Sequence, residues 1–459
     1  MEYSMSGKLH VDVTILGGGP GGYMAANRAS QLGAKVALVE KGELGGTCIN
    51  RGCIPTKALL HVCGGILRAR LLEDYGVHVD STGLDFSGFI RHADSVAQAA
   101  RAQVEAMMEE RDVAVLKGTG SIVDEGTVAV SGGENVRVES RSIIVATGSS
   151  PSIPPIPGVH SEGVITSDDA FRHRERPERA LIVGAGALGL EWGTIYRSVG
   201  SEVIIIEMMP EVLPQEDEEV AMYLRGFMEE GGIRIITDAR VNRIKRQGGE
   251  LALEIERGEE IRGDLVLLAT GRVPNSQGIG LEGLVEMRGG FVVVDDHMRT
   301  GTGDIYAVGD VVGKGMLAHV AIHEGLVAGE NAAAGNAAMR REAVPRCVYT
   351  SPEVACVGLS EDEAREKRGA GVKVVRCPLR MNGRAMTMGS GRGFIKIVYE
   401  EEKGRILGAQ MLAPHASEIV NELCLGISAG ATIEDIALTM HAHPTLSEVI
   451  WDAACRGRR

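Results

Sequence analysis

Two cysteines, Cys48 and Cys53, lie five positions apart in GGTCINRGCIPTK, Gly45 to Lys57, with a lysine four residues after the second. Such a set can bind a metal, staple a loop or carry electrons. Zinc could draw on Cys48, Cys53, His61 and Cys63, but tetrahedral sites usually pair ligands two to four residues apart. The run PTKALLHVCGGILRARLL from Pro55 reads as a helix with proline in its first turn. On such a helix His61 and Cys63 face different directions. A structural disulfide closing so small a loop gains the least chain entropy available. Redox exchange suits the pair, because a helix start lowers a thiol's pKa and stabilises the thiolate that attacks or leaves. Arg51 between the cysteines either adds to that effect or is a solvated loop residue.

A second candidate group closes the chain. HAHPTLSEVIWDAA, His441 to Ala454, offers His441, His443 and Glu448. Thr445 to Glu448 fits S/T-x-x-E, the capping box of a last helix, which is a purely structural reason for the glutamate. Dithiol chemistry asks for more. A thiol of pKa about 8.5 must lose its proton near neutral pH before it attacks. A histidine can take that proton, and a carboxylate can fix the histidine's tautomer and raise its basicity.

These residues need a scaffold, and a near-repeat supplies it. HVDVTILGGGPGGYMAANRASQLGAKVALVEKG and ALIVGAGALGLEWGTIYRSVGSEVIIIEMMP both read strand, glycine turn, helix, strand, acid. Gly17, Gly19 and Gly22 make G-x-G-x-x-G before Glu40; Gly184, Gly186 and Gly189 do so before Glu207, the first glycine preceding the acid by 23 residues each time. A single match means little in a chain with 62 glycines, but strand context and a repeated spacing mark two dinucleotide sites. The first glycine allows the tight turn, the second lets backbone approach a pyrophosphate and the third lets helix pack on strand. The helix start adds N–H groups and positive dipole. A carboxylate at Glu207 suits ribose hydroxyls and repels the extra phosphate of NADP. Met208 and Met209 follow it in place of basic residues, which favours NAD.

Each unit closes on another apolar strand and glycine turn, SIIVATGSSP with Thr147 and Gly148, and DLVLLATGRVPN with Gly271. Alternating segments before these strands, TVAVSGGENVRVESRSIIV and LALEIERGEEIRGDLVLL, read as antiparallel hairpins. A further strand in TGTGDIYAVGD ends at Asp310. From Arg346 the pattern changes to strands and amphipathic helices with no nucleotide fingerprint. The expected fold is α/β: two Rossmann-like dinucleotide-binding domains and an α+β dimerisation domain. The expected divisions are 1–150 and 276–343 for the two parts of the first domain, 151–275 for the second and 344–459 for the third.

The chain has 459 residues, 44% of them apolar and 24% charged, as in an ordinary globular protein. A net charge of −14 argues against nucleic acid as a partner. No signal peptide is expected at the amino terminus, and no stretch approaches the roughly 20 apolar residues of a membrane helix. Eight cysteines, six of them scattered, suit a reducing cytoplasm.

Taken in order, GGTCINRGCIPTK after a first fingerprint, a second fingerprint, and HAHPTLSE near the end resemble the flavin disulfide reductases, the class I pyridine nucleotide-disulfide oxidoreductase family. Within it the likeness is greatest to members that oxidise dihydrolipoyl groups with NAD. The resemblance spans essentially the whole chain. It implies FAD on the first unit and NAD on the second, with Cys48 exchanging with the dithiol and Cys53 forming the thiolate beside the flavin. It implies Lys57 beside the flavin and paired with Glu191, Asp310 on the flavin side of FAD, and Gly46, Thr47, Thr147, Gly148 and Gly271 among the cofactor contacts. A cation at Lys57 would favour a reduced, anionic flavin, whereas taken alone Lys57 and Glu191 are ordinary helix-surface residues. His443 becomes the base and Glu448 its orienting acid, acting on the other subunit of a homodimer, with His441 packed or solvated. The implied partners are a lipoyl carrier protein, the acyltransferase core of a 2-oxoacid dehydrogenase complex, or a glycine cleavage system.

LAHVAIHEG departs from the family's usual charged pattern at Val320 and His323 but keeps Leu317, Ala318 and His319, which implies tuning near the flavin or NAD. Glutathione-type reductases would want basic residues after Glu207. Mercuric reductases would want adjacent cysteines at the carboxy terminus, where this chain has Cys455 without a neighbour. NADH-dependent reduction of another disulfide and a non-catalytic, redox-sensing flavoprotein subunit are the remaining alternatives.

Overall fold

The computed structural model describes residues 7–78, 84–256 and 258–458. The first glycine unit forms β1 (Lys8–Leu16), α1 (Pro20–Gln31) and β2 (Val36–Glu40). The strands pair in parallel, Val13 beside Val36 through Leu16 beside Val39. Both strands are covered on two faces, so Val13, Ile15, Ala37 and Leu38 are all fully buried, as a parallel strand with continuous apolar sequence requires.

The cysteine segment follows as two helices, α2 (Gly46–Arg51) and α3 (Cys53–Leu71), and the amphipathic α4 (Phe86–Glu110) packs beside them. Then come β3 (Ala114–Lys117), β4 (Thr119–Asp124), β5 (Thr127–Ser131) and β6 (Val136–Val145). The sheet runs β3-β2-β1-β6-β5-β4. β6 runs parallel to β1 from Arg137 to Val145, while its other edge has two characters: Val136 to Glu139 pairs antiparallel with β5, and Ile143 to Val145 lies parallel to a later strand. The expected hairpin is therefore real over its first half, and the SIIV end is a central parallel strand.

After β7 (Ser149–Pro151) the second unit is built from β8 (Val164–Thr166), α5 (Ser167–Ala170), β9 (Arg179–Val183), α6 (Ala187–Ser198) and β10 (Glu202–Ile206). It continues through α7 (Glu218–Glu230), β11 (Ile233–Ile236), β12 (Val241–Gln247), β13 (Glu250–Ile255), β14 (Glu260–Gly263) and β15 (Leu265–Leu268). A parallel sheet of order β11-β10-β9-β15-β8 carries the antiparallel ribbon β12-β13-β14. Here too the expected hairpin ends early, at Gly263, and LVLL is a parallel core strand against β9.

β16 (Arg272–Pro274) returns antiparallel along β7, so outgoing and returning chain are clamped where the second unit is inserted. A short hairpin of β17 (Met287–Arg288) and β18 (Phe291–Val292) precedes β19 (Ile305–Ala307), which rejoins the first sheet beside β6. α8 (Ala318–Ala333) then packs along α1.

The last block is an antiparallel sheet of order β20-β21-β24-β23-β22, made by β20 (Arg346–Val348), β21 (Glu353–Gly358), β22 (Val372–Pro378), β23 (Phe394–Glu400) and β24 (Ile406–Ala413). Its helices are α9 (Glu361–Arg368), α10 (Gly383–Thr387), α11 (Ala416–Ala429), α12 (Ile433–Leu438) and α13 (Glu448–Gly457). Leu425, Leu438 and Met440 stand exposed on this block.

One buried cation ties it to the second unit. Lys396 of β23 is 2% exposed, with Nζ 2.7 Å from Asp217 Oδ1 and 3.0 Å from Glu219 Oε2. Asp217 also caps α7. Arg376 and Arg346 reach Glu219 and Glu216 alongside. Among the described residues no helix is long and apolar enough to cross a membrane.

Candidate active site

The two glycine turns are built alike. Gly17 and Gly184 take φ of +106° and +108°, in the left-handed region that glycine favours. A Cβ on Gly22 would lie 1.8 Å from the Gly17 carbonyl oxygen, and one on Gly189 2.0 Å from that of Gly184. First and third glycines are thus demanded by the chain itself. The second is not: Gly19 and Gly186 have φ of −73°, and a Cβ on Gly186 would meet nothing within 4 Å. Only a ligand passing close to that backbone explains glycine there, so both turns fit a bound pyrophosphate.

The acids play a part that the sequence reading did not foresee. Glu40 Oε2 accepts from the Gly18 N–H at 2.7 Å and Oε1 from the Gly42 N–H at 2.6 Å. Glu207 repeats this with the N–H groups of Ala185 at 2.6 Å and Met209 at 2.8 Å. Each carboxylate therefore braces its own turn. Met208 and Met209 are exposed.

The GG of GGTC joins the cysteines to the first turn. Gly45 and Gly46 both have positive φ, the Gly45 N–H donates to the Gly18 carbonyl at 2.8 Å, and a Cβ on Gly46 would lie 2.7 Å from Gly19 Cα. Cys48 then falls in α2, and Cys53 is the first residue of α3 after the break at Gly52. A cavity of about 680 Å³ runs along this face. Glu40 and Gly46 line one part of it, Cys48, Cys53 and Lys57 another, with Thr147, Gly148, Asp310, Leu317 and Ala318 on the remaining walls.

Both cysteines are free thiols. The Cys48 thiol donates to the Cys53 sulfur, which raises Cys48 and lowers Cys53 to about 7; burial opposes the drop at Cys53, Lys57 reinforces it and Glu191 counters it. Lys57 Nζ lies 2.8 and 3.0 Å from the two carboxylate oxygens of Glu191, which is 5% exposed. The sequence reading named that pair but missed its third member. Tyr349 gives its N–H to Glu191 Oε1 at 3.0 Å, and the Lys57 ammonium lies 4.4 Å from the centre of its ring. Lysine from the first unit, glutamate from the second and tyrosine from the last block thus meet beside the cysteines. Tyr23 of α1 is close as well, its phenol pushed up to about 12 by burial and then by Cys48 and Cys53. The aromatic in GGPGGY gave the only advance signal of it.

Asp310 accepts from Ser149 Oγ, and Arg272 donates to Ser149 Oγ at 2.7 Å and to its carbonyl at 2.8 Å. The turn that presents Asp310 is held by Glu324, 1% exposed, whose Oε2 accepts from the Gly309 N–H at 2.6 Å while Oε1 takes Arg341 at 2.6 Å. Of the LAH triplet, Leu317 and Ala318 face the cavity, but His319 turns to the Pro345 carbonyl at 2.8 Å, and burial lowers its pKa. Val320 is buried and His323 exposed. Gly271, with φ of +93°, turns the chain into β16.

Arg51 follows neither expected course. Its Nε lies 2.9 Å from Asp168 Oδ2, a residue of α5. His61 is exposed and Cys63 buried on α3. Among the described residues no three His, Cys, Asp or Glu side chains converge as a metal site.

At the carboxy terminus His443 Nδ1 lies 2.8 Å from Glu448 Oε1, and Glu448 Oε2 accepts from the Thr445 N–H at 2.7 Å. That backbone bond and then His443 hold the Glu448 carboxyl below the usual range. The capping box is half made: Thr445 Oγ1 donates instead to the Ala442 carbonyl, and α13 starts only at Glu448. A carboxylate can only accept, so the bond holds a proton on Nδ1 and, in the neutral ring, leaves Nε2 as the basic nitrogen. The His443 side chain is 78% exposed and lies outside the walls of the cysteine cavity. His441 is packed, with Nε2 on Glu422 at 2.9 Å and Nδ1 on the Thr439 carbonyl at 3.0 Å.

Two nucleotide turns, a cysteine pair between them and a separate sheet domain define a pyridine nucleotide-linked disulfide oxidoreductase. The profile of the family described as "Pyridine nucleotide-disulphide oxidoreductase" matches residues 11–325, and that of its dimerisation domain residues 344–454. The chain belongs to this family. Among curated relatives, it is 42% identical to a dihydrolipoyl dehydrogenase of Thermus scotoductus over 96% of each chain. It is 40% identical to dihydrolipoyl dehydrogenase 2 of Haloarcula marismortui over 97% of this chain and 96% of that one. Among solved structures it is similar to LpdA from Mycobacterium tuberculosis, with TM-score 0.91 and 28% identity over 98% of this chain and all of that one. It is also similar to the HOCl-induced flavoprotein disulfide reductase RclA of Escherichia coli, with TM-score 0.87 and 28% identity over 97% and 99%.

Proposed function

We propose that the chain is a dihydrolipoyl dehydrogenase that reoxidises dihydrolipoyl groups on a carrier protein through Cys48, Cys53 and FAD and reduces NAD. The observation that supports this reading most is that Cys48, Cys53 and Lys57, the last paired with Glu191, share one cavity with the first glycine turn. FAD, when bound, takes the electron pair from the cysteines and passes it to NAD as hydride.

Each residue then has its task. His443 Nε2 removes a proton from one dihydrolipoyl thiol, and that thiolate attacks Cys48 Sγ in the oxidised pair. The Cys48–Cys53 bond breaks and Cys53 leaves as a thiolate, stabilised by the neighbouring Lys57 ammonium. The second lipoyl sulfur attacks its partner sulfur in the mixed disulfide and expels Cys48. One substrate proton ends on Cys48 Sγ and the other on His443, while the substrate leaves as a cyclic disulfide. Glu448 holds the imidazole in the tautomer that this needs.

His443 serves the cysteines of a second copy, which makes the working enzyme a homodimer built on the dimerisation domain. Gly17, Gly19, Gly22, Glu40, Gly46, Thr47, Thr147, Gly148 and Asp310 hold FAD, with Leu317 and Ala318 at its edge; Gly184, Gly186, Gly189, Glu207 and Gly271 serve NAD. Residues 1–150 and 276–343 form the FAD domain, 151–275 the NAD domain and 344–459 the interface domain. The partner is a lipoyl-bearing carrier or acyltransferase core of a 2-oxoacid dehydrogenase complex, or a glycine cleavage system, in the cytoplasm.

The test is NADH formation from NAD and dihydrolipoamide by FAD-loaded protein, with NADP in parallel and Cys48→Ser as control. Turnover specific to NAD and abolished by the substitution is expected. Bound FAD without turnover, but with NADH-driven reduction of some other disulfide, would overturn the substrate assignment.

A further inference from the structure

Arg51 sits between the two cysteines, and its charge does not act where its position in the chain would put it. The groups that dominate the two thiols are each other, Lys57, Asp310 and Glu191. Arg51 instead turns its guanidinium to Asp168, Nε to Oδ2 at 2.9 Å, and keeps 46% of its side chain exposed. Asp168 stands in α5, inside the capping box in which Thr166 and Asp169 start that helix, so its backbone is fixed independently of Arg51. Its other oxygen, Oδ1, is buried without a hydrogen bond and lies 3.9 Å from Arg272. Arg272 is committed elsewhere, to Ser149, which in turn donates to Asp310.

We propose that Asp168 is a positioning residue that draws Arg51 away from the cysteine pair and neutralises it, so that Lys57 is the cation that sets the reactivity of Cys48 and Cys53. It rests on the reading of Cys48 and Cys53 as the redox pair. Three features of the geometry support it. The ion pair crosses from the redox helix to the second nucleotide unit, so it also fixes how α2 sits against that unit. Asp168 Oδ2 approaches Arg51 closely while Oδ1 lies 3.9 Å from Arg272 Nη1, and the Nε and Nη2 of Arg272 hold Ser149, so Arg51 is the close partner of that carboxylate. Arg51 also lines the cysteine cavity, so once released it has open space through which to swing toward Cys48.

The consequence is a sign that a merely structural tie would not produce. With Asp168 neutral, Arg51 becomes a free cation beside two thiols and favours their thiolates. With Arg51 neutral, the Asp168 carboxylate keeps only the more distant Arg272, at 3.9 Å, and disfavours them. Opposite charge within a few ångströms lowers an acid's pKa by about one unit or more, so the expected change in alkylation below the thiol pKa is about threefold to tenfold.

The experiment uses the FAD-loaded protein, reduced anaerobically, and follows the pH profile of iodoacetamide labelling at Cys48 and Cys53 by peptide mass spectrometry. This readout does not depend on dehydrogenase turnover, so loss of the lipoyl reading would leave it standing. D168N is expected to label faster at pH 6 to 7, R51Q no faster than the parent, and R51Q/D168N close to the parent. D168S is a second variant with the same expectation should D168N fail to fold. Unchanged profiles in the Asp168 variants, or acceleration that persists in the double variant, would overturn the proposal.

Discussion

Replacing Lys57 by methionine separates two effects that the site combines. The substitution keeps a long, flexible side chain against the Tyr349 ring and removes the ammonium. Of the three hydrogen bonds that the Glu191 carboxylate, 5% exposed, accepts among the described residues, the one from the Tyr349 N–H is left. Stripping one member from a buried pair costs about 3 to 5 kcal/mol. Lys57 is one-third exposed at 33% and the Tyr349 bond survives, so a loss of about 2 kcal/mol is expected. The thiols respond separately. Lys57 lowers both, and Glu191, no longer neutralised, raises Cys53. From about 7, Cys53 should climb by about one to two units, cutting its thiolate at pH 7 roughly tenfold. Because Cys53 is held below an unfolded thiol's value of about 8.5, its thiolate adds stability that is fully present above that pH and is lost as pH falls through about 7. Urea denaturation of the reduced protein should therefore show the parent gaining on K57M as pH rises across that window. Ultraviolet thiolate absorbance against pH checks the titration directly. In K57M/E191L the stability should return in part, because no buried charge is left unpaired, while the thiolate titration stays high. A K57M titration lying on the parent curve would refute the electrostatic role given to Lys57.

The glycines, the base and the domain tie yield further expectations. Gly186→Ala places a methyl in open space at an ordinary φ, so melting temperature should stay within about 2 °C while NAD affinity falls at least tenfold, about 1.4 kcal/mol; calorimetric unfolding with NAD titration tests both. Gly22→Ala drives a Cβ to 1.8 Å from the Gly17 carbonyl oxygen and should cost at least about 2 kcal/mol with loss of flavin, read by denaturation and absorbance. His443→Gln removes an exposed side chain, so stability should hold while dihydrolipoamide oxidation drops about 10²- to 10⁴-fold and NADH oxidation with an artificial acceptor is retained. Lys396→Met leaves the buried Asp217 without its cation, while Glu219 keeps Arg376, and should destabilise by about 3 kcal/mol, checked by urea denaturation.

Local constraint and spatial assembly divide what the sequence made legible. A glycine turn is dictated by backbone geometry within a few residues, so Gly17, Gly22, Gly184 and Gly189 announce themselves, and the two units match down to the +106° and +108° of their first glycines. The cysteine pair is equally local. Tyr349, Arg272 and Asp168 are different, because each becomes part of the site only when distant segments meet, and a tyrosine in CVYT or an aspartate in SDDA carries no signal of that. The acidic run Glu216 to Glu219 looks like solvated surface in sequence, yet it docks on Lys396, Arg376 and Arg346 of another domain. The expected hairpins overextend for a related reason: alternation shows that a strand exists but not that the neighbour on one edge changes from β5 to β19 along one ten-residue strand.

Glu448 shows why a structural and a catalytic reading of one residue need not compete. A capping box would spend its carboxylate on the helix start alone. Here the box is only half formed, so Oε2 takes the Thr445 N–H and leaves Oε1 for His443. The backbone bond fixes the carboxylate, the carboxylate fixes the ring, and the ring's remaining nitrogen stays open on a side chain 78% exposed. On the function proposed above, a base displayed this way, outside the walls of its own chain's cysteine cavity, serves cysteines that a second copy brings to it. Mixing Cys48→Ser protein with His443→Gln protein, both inactive alone, should therefore restore activity in the heterodimer, up to about a quarter of the parent rate for random exchange of subunits that each carry one intact half-site. No recovery despite proven subunit exchange would place the base and the thiols in one chain.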